Sequence, residues 1–209
     1  MTKEYWNKTH KEKYSQADWA HKPSIFATQV VKFFPTAGTL LEIGAGQGGD
    51  ANFFQSLGYT VIATDYSDNA LTNAKENIKN VRFINVDTSL GLLFEKESFD
   101  IVYSHMALHY FDAKTTTKIF FDIHRVLKPD GIFATITNTI DDPEKDSGKY
   151  TELESGYYKD AKSIQKRYFS VESLKVFIKG LFESLLLDNK GETYKDDIRT
   201  LIRFVGRKI

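Results

Sequence analysis

The sequence predicts an α/β protein built on one mostly parallel sheet, doubly wound, with helices on both faces. Three observations predict it. Short β-branched and apolar runs alternate with helical patterns of about ten to fifteen residues, the rhythm of right-handed βαβ units. Successive runs close on polar residues: Glu42 to Gly44, Asp65, Asp87, then Ser104 and His105. The first run opens into Gly44-Ala45-Gly46-Gln47-Gly48-Gly49, and a helical pattern follows at once.

Length favours a single domain over all 209 residues. Residues 3–22 are polar, with Tyr5, Trp6, Tyr14 and Trp19 among lysines and histidines. They hold too little aliphatic surface for a core of their own. Residues 1–22 therefore read as an N-terminal arm that packs its rings on the main body, or as a flap that closes over the glycines and excludes water. Over residues 24–34, Ile25, Phe26, Val30, Val31 and Phe34 fall at helical spacing, ended by Pro35 and Gly38. Residues 39–43 are a short buried strand. After the glycines, Ala51, Phe53, Phe54 and Leu57 suit a short helix stopped at Gly58. Residues 59–64 form a second strand ending at Asp65. Ser67 caps the next helix, whose Ala70, Leu71, Ala74 and Ile78 share a face. Residues 81–86 are a third strand ending at Asp87, residues 90–94 an apolar connector, and residues 99–103 a fourth strand.

Asp112 caps a helix running to about Leu127, with Ile119, Phe120, Ile123, Val126 and Leu127 turned inward. Lys128-Pro129-Asp130-Gly131 stops it, and residues 132–137 are a fifth strand. Then the rhythm breaks. Residues 138–168 are read as an insertion over the carboxyl edge of the sheet, its polar stretch 141–163 carrying Tyr150, Tyr157 and Tyr158 without a clear period. Val171, Leu174, Phe177, Ile178 and Leu181 restore a helix, and residues 185–188 and 200–205 are the sixth and seventh strands. The joining segment 189–197 is short and holds Gly191, which suits an antiparallel hairpin rather than another crossover.

Composition narrows the partners. Lys+Arg and Asp+Glu are equal at 28 each, which argues against a surface built to grip phosphate backbones, so no nucleic-acid partner is expected. No cysteine is present, which removes disulfides, thiolate zinc sites and cysteine nucleophiles. His10, His21 and His124 lack metal-ligand spacing, and no metal is expected. The N-terminus carries charge without an apolar h-region, and no apolar run approaches the roughly 18 residues of a membrane span. The expectation is a cytoplasmic protein with no membrane partner, monomeric or homodimeric.

In a doubly wound sheet, ligands bind at the carboxyl ends of the strands. An acid about 20 residues after the glycines, Asp65, suits a ribose diol. Asp87 suits an exocyclic amine of a base. Together they describe a nucleoside. Gly44-x-Gly46-x-x-Gly49 also satisfies the dinucleotide-binding pattern, so a nucleotide-binding oxidoreductase stays open, as does a non-catalytic cofactor-binding module. Glu42, two residues before the first glycine, favours another guest: its carboxylate repels a diphosphate and welcomes an ammonium group.

These residues resemble the class I S-adenosylmethionine-dependent methyltransferases. Leu40-Leu41-Glu42-Ile43-Gly44-Ala45-Gly46-Gln47-Gly48 is similar to the family's cofactor loop, Ala63-Thr64-Asp65-Tyr66-Ser67 to its ribose-binding turn, and Phe83-Ile84-Asn85-Val86-Asp87 to the strand whose acid meets adenine. Phe99-Asp100-Ile101-Val102-Tyr103-Ser104 resembles the fourth strand, and His109-Tyr110-Phe111 and Arg125-Val126-Leu127-Lys128-Pro129-Asp130-Gly131 the segments after it. The resemblance implies a Rossmann-like seven-stranded sheet of order 3-2-1-4-5-7-6 with strand 7 antiparallel, and S-adenosyl-L-methionine as cofactor. It implies Glu42, Gly44, Ala45, Gly46, Gly48, Asp65, Tyr66, Asp87, Thr88 and Ser104 as cofactor-binding residues. Within the family it is nearest to small bacterial enzymes acting on small molecules, tellurite-resistance-like ones included, through Gly48-Gly49-Asp50-Ala51 and Leu57-Gly58-Tyr59.

Methyl transfer from a sulfonium needs alignment and exclusion of water more than acid–base chemistry. The fourth strand end, Ser104-His105-Met106-Ala107-Leu108-His109-Tyr110, lacks the Asn/Asp-Pro-Pro-aromatic signature of many DNA-base and protein-glutamine methylases. The expected acceptor is a small molecule methylated at S, N or O, with a protein or nucleic-acid acceptor less favoured. His105 and His109 are the candidates for a base or a positioning group. Trp6, Tyr14, Tyr110, Tyr150 and Arg167, with Tyr157 and Tyr158, are the candidates for an acceptor pocket.

Overall fold

The computed structural model describes residues 2–142, 148–194 and 201–209. Seven strands form one sheet: β1 (Thr39–Ile43), β2 (Thr60–Asp65), β3 (Arg82–Asn85), β4 (Phe99–His105), β5 (Leu127–Asn138), β9 (Phe182–Gly191) and β10 (Leu201–Lys208). Their order is β3-β2-β1-β4-β5-β10-β9. β1 to β5 are parallel, and β10 lies antiparallel between β5 and β9. This is the expected order, with β9 and β10 as strands 6 and 7. Three more strands, β6 (Tyr150–Glu154), β7 (Tyr157–Asp160) and β8 (Gln165–Arg167), form a separate antiparallel sheet.

The pleat distributes the core to two faces. Leu40 and Ile101 turn to one side, and their neighbours Leu41 and Val102 to the other. On the first side pack α2 (Ile25–Val30), α3 (Gly49–Ser56) and α4 (Asp68–Asn77), through Phe26, Val30, Phe54 and Leu71. On the second pack α5 (Ala113–Val126) and α6 (Val171–Ile178), through Ile119, Phe120, Ile123, Leu174 and Ile178. Each such fully buried side chain contributes about 1.5–3 kcal/mol. Register is shared across the centre: Leu41 is level with Ile62 on one side and Val102 on the other. The carboxyl ends of β1, β2 and β4 therefore open at one edge.

Caps fall where short polar side chains were expected. Ser67 accepts from Ala70 N and Asp112 from Thr115 N. The helix expected over 24–34 is shorter: Ser24 caps α2, which tightens after Val30 into a 3₁₀ turn, Val31–Phe33. Two consecutive β-branched residues and Pro35 just beyond disfavour further α-helix. α5 ends at Val126 as expected, but β5 begins directly at Leu127 and carries Asp130 at φ 61° before Gly131. The Lys128-Pro129-Asp130-Gly131 stretch is thus a bend within a strand, matched by a register shift between Phe99 and Ile101. The polar stretch 141–163 holds β6 and β7, joined by Ser155-Gly156 with Gly156 at φ 73°. Residues 143–147, part of the expected insertion, and Thr200, the expected start of the last strand, lie outside the described residues. The arm folds as α1 (Lys3–Glu12), capped by Thr2, followed by two 3₁₀ turns.

Candidate active site

A cavity of about 460 Å³ lies at the carboxyl edge of β1, β2 and β4. That volume falls in the range of about 300–1,000 Å³ common to small-molecule sites. Its floor is the loop between β1 and α3. Gly44 sits at φ 77°, and a Cβ there would lie 2.2 Å from the Ala107 Cβ. Gly48 caps α3 at φ 83°. Only glycine takes both positions without strain: Gly44 brings bare backbone to the cavity, and Gly48 packs against Ile78 and Phe83 where the chain turns into α3. Gly44 N and Ala45 N donate to Thr64 O at 2.8 and 2.9 Å, which pins the loop to β2.

Three acids meet at this floor. Asp65 is buried; its Oδ2 accepts from Gly46 N at 2.9 Å and its Oδ1 from Ser67 N at 2.8 Å. It thereby holds the glycine loop and the start of α4 together. Asp50, in the first turn of α3, accepts from Ser24 N, from Ser24 Oγ at 2.9 Å and from Tyr103 OH at 2.7 Å. Glu42 is 2% exposed, and its Oε2 is sealed without a hydrogen-bond partner. Burial, with the Asp50 and Asp65 carboxyls nearby, pushes its carboxyl well above the ordinary range. At the third strand end, Asp87 accepts from Ser89 N at 3.0 Å and Ser89 Oγ at 2.6 Å; Thr88, Ser89 and Tyr66 share the same wall.

α1 lies across this floor. Asn7 Oδ1 accepts from Ser67 Oγ at 2.9 Å, Asn69 Nδ2 donates to Asn7 O at 3.0 Å, and Lys3 pairs with Asp68 at 2.8 Å. His10 Nδ1 meets Gln47 Nε2 at 3.1 Å, directly over the loop. Burial lowers the His10 pKa, with Asp65 working against it. The rings of Tyr110, Trp6, His10, Tyr14 and Trp19 follow one another at centroid distances of 5.0, 6.1, 5.1 and 5.2 Å.

The sequence-expected residues divide cleanly by position. Glu42, Gly44, Ala45, Gly46, Asp65, Tyr66, Asp87, Thr88, His105, Trp6, Tyr14 and Tyr110 line the cavity. Gly48 stands behind the loop, as the cap of α3. Ser104 is turned into the sheet, where its Oγ donates to Ile43 O at 2.9 Å and ties β4 to β1. His109 is 1% exposed, and burial, with Lys166 and His105 adding to it, lowers its pKa to about 3. It is a core imidazole outside the cavity wall, not a base at the wall. Tyr150 is on β6, away from the wall, whereas Tyr157 reaches it. Arg167 is buried and spends its guanidinium on Phe111 O at 3.2 Å, Ser155 O at 3.1 Å and the Glu154 carboxylate. It fastens the small sheet to the loop after β4 and does not reach the cavity. Sequence reasoning missed His10, Gln47, Asp50 and Gln165 as wall residues. The one signal for Asp50 was its place in the first turn after the glycines. Met106 also lines the wall, at φ 54°, a left-handed conformation rare outside glycine and characteristic of functional loops.

Among the described residues no cluster of three metal-ligating side chains occurs, and no helix is long and apolar enough to cross a membrane.

Comparison with known proteins places this geometry. Residues 41–135, from β1 into β5, match the family described as a methyltransferase domain. An uncharacterized methyltransferase of Synechocystis is 33% identical over 97 residues, 46% of this chain and 45% of the relative. The mitochondrial arginine hydroxylase NDUFAF5 of Mus musculus is 32% identical over 107 residues, 50% of this chain and 29% of the relative. The chain thus spans less than half the length of these two curated relatives. Among solved structures, the 1,6-didemethyltoxoflavin-N1-methyltransferase of Burkholderia thailandensis, holding 1,6-didemethyltoxoflavin and S-adenosylhomocysteine, aligns with a TM-score of 0.76. It covers 99% of this chain and 86% of its own, at 17% identity, so the likeness is one of fold. The matched segment spans the glycine loop and the strand-end acids, so the likeness to a methyltransferase domain falls on the residues that line the cavity.

Proposed function

We propose that the protein is an S-adenosylmethionine-dependent methyltransferase that methylates a small molecule at S, N or O. The observation that carries this is the set of acids at consecutive strand ends around a bare glycine loop, with Glu42 at the wall and its buried Oε2 lacking a partner. An unpartnered buried carboxyl is costly unless a donor arrives, and an ammonium group is such a donor. A diphosphate would bring anions into a wall that already holds Asp50, Asp65 and Asp87, which weighs against a dinucleotide.

The cofactor fits these residues. Glu42 and the loop from Gly44 to Gly46 would hold its amino-acid part, Asp65 with Tyr66 its ribose, and Asp87 with Thr88 its base. When bound, S-adenosylmethionine supplies an electrophilic methyl group on a positively charged sulfur, a good leaving group. What remains for the chain is to align the acceptor and to exclude water. The rings of α1 serve the second task, which makes residues 1–22 a flap over the cofactor. His105, on the wall at the end of β4, is positioned to orient the acceptor or take its proton. A cavity enclosed by α1 on one side and by Tyr157 and Gln165 of the small sheet on the other favours a small acceptor over a macromolecular one.

Calorimetry with S-adenosylhomocysteine tests the reading. Binding tighter than about 100 µM (roughly −5.5 kcal/mol) is expected, and its absence at that concentration would sink the proposal. Asp65→Ala is expected to weaken binding at least tenfold, through lost hydroxyl contacts and a loosened loop.

A further inference from the structure

Beyond the acids, the cavity wall changes character. Trp6 meets Tyr110 at 5.0 Å and 73°, and Tyr14 meets Trp19 at 5.2 Å and 68°. An edge-to-face pair leaves both faces of one ring unused by that contact. Tyr157 adds a further ring from the small sheet; its hydroxyl donates to Gln165 Oε1 at 3.0 Å and fixes that amide at the wall. Rigid rings with few torsions lose little freedom on meeting a flat ligand.

Charge selects further. Lys22 is the only lysine or arginine among the described residues of the wall. Against it stand Asp50, Asp65, Asp87 and Asp112, while the buried Arg167 is held by Phe111 O, Ser155 O and Glu154 and lies 5.2 Å over the Tyr157 ring, which leaves that ring its other face. A carboxylate or phosphate on the acceptor would find one exposed lysine and several like charges. A cation would find carboxylates and ring faces, both of which attract it.

Resting on the methyltransferase reading above, we propose that the acceptor is a planar aromatic molecule, neutral or cationic, held among the rings of Trp6, Tyr14, Tyr110 and Tyr157. When the acceptor is neutral, its ring heteroatom accepts from the Gln165 Nε2, and in either form it carries no anionic group.

Four probes of matched size separate the contributions: quinoline, N-methylquinolinium, quinoline-2-carboxylate and decahydroquinoline, each titrated by calorimetry with saturating S-adenosylhomocysteine. Both tryptophans of the chain, Trp6 and Trp19, line the cavity, so their fluorescence reports occupancy independently. Quinoline and N-methylquinolinium should bind at least tenfold more tightly than the carboxylate and the saturated amine. Tyr110→Leu should cost the planar probes fivefold or more in a variant that still binds S-adenosylhomocysteine. Binding of S-adenosylhomocysteine without preference among the probes, or preference for the carboxylate, overturns this proposal alone. Failure of S-adenosylhomocysteine itself to bind overturns the cofactor reading and this one with it.

Discussion

The Glu42 carboxyl keeps its proton well above the ordinary 4.5, because burial and the Asp50 and Asp65 carboxyls oppose its charge. Between 4.5 and that raised value, the folded protein holds a proton that the unfolded chain has released. The contribution of this group to stability is therefore complete below 4.5 and is lost as pH rises through the raised value. Glu42→Gln keeps the shape and removes the titration. Its thermal midpoint at pH 7.5 should exceed that of the parent, with a flatter dependence on pH. Its affinity for S-adenosylhomocysteine should fall at least tenfold, about 1.4 kcal/mol, since an amide cannot ionise to face an arriving ammonium group as the carboxyl can. Unchanged affinity would remove Glu42 from the cofactor set. Four positions separate His105 from His109, yet one is on the wall and the other, with a pKa of about 3, is in the core. The loop between them has no period, so nothing in the sequence says which imidazole turns inward.

Elements with a clear hydrophobic period were legible, and those stabilised by polar contacts were not. β1 to β5 and α3 to α5 show as apolar runs and amphipathic faces because they bury one face or two. α1 is polar, buries mainly Thr9 and His10, and is held by Asn7 and Lys3, which no period announces. β6 is mostly exposed and is fixed through Arg167, so its polar residues read as loop. The same distinction makes the junction of α2, α3 and β4 testable. Asp50 there takes two donors from Ser24 and one from Tyr103. Asp50→Asn leaves one acceptor oxygen and turns an N–H₂ group toward donors, which should cost about 2–4 kcal/mol in denaturant unfolding. Ser24→Ala removes a cap and one of those bonds, but keeps the backbone donor, and should cost about 1–2 kcal/mol. Equal losses would show that the carboxylate is not the centre of the junction.

At the scale of the whole molecule, folding gathers carboxyl groups that repel one another into one cavity and covers them with α1. Part of the folding free energy is thus held against a ligand that carries positive charge. A ligand that binds only the folded state stabilises it by about 2.7 kcal/mol at one hundred times its Kd. At roughly 2–4 °C per kcal/mol for a chain of this size, S-adenosylhomocysteine should raise the unfolding midpoint by about 5–11 °C. The gain should not be uniform. If α1 is a flap, amide exchange should slow over residues 3–12 and over the glycine loop, and stay unchanged in β6, which is mostly exposed. 5′-Methylthioadenosine keeps the base, ribose and sulfur but lacks the amino-acid part that Glu42 would receive. At equal concentration it should shift the midpoint less, and in Glu42→Gln the two ligands should approach one another. A midpoint shift without slower exchange in α1 would leave the cofactor reading standing and reduce α1 to a fixed wall. Equal shifts from the two ligands in the parent protein would mean that the carboxyl groups of the floor play no part in choosing the guest.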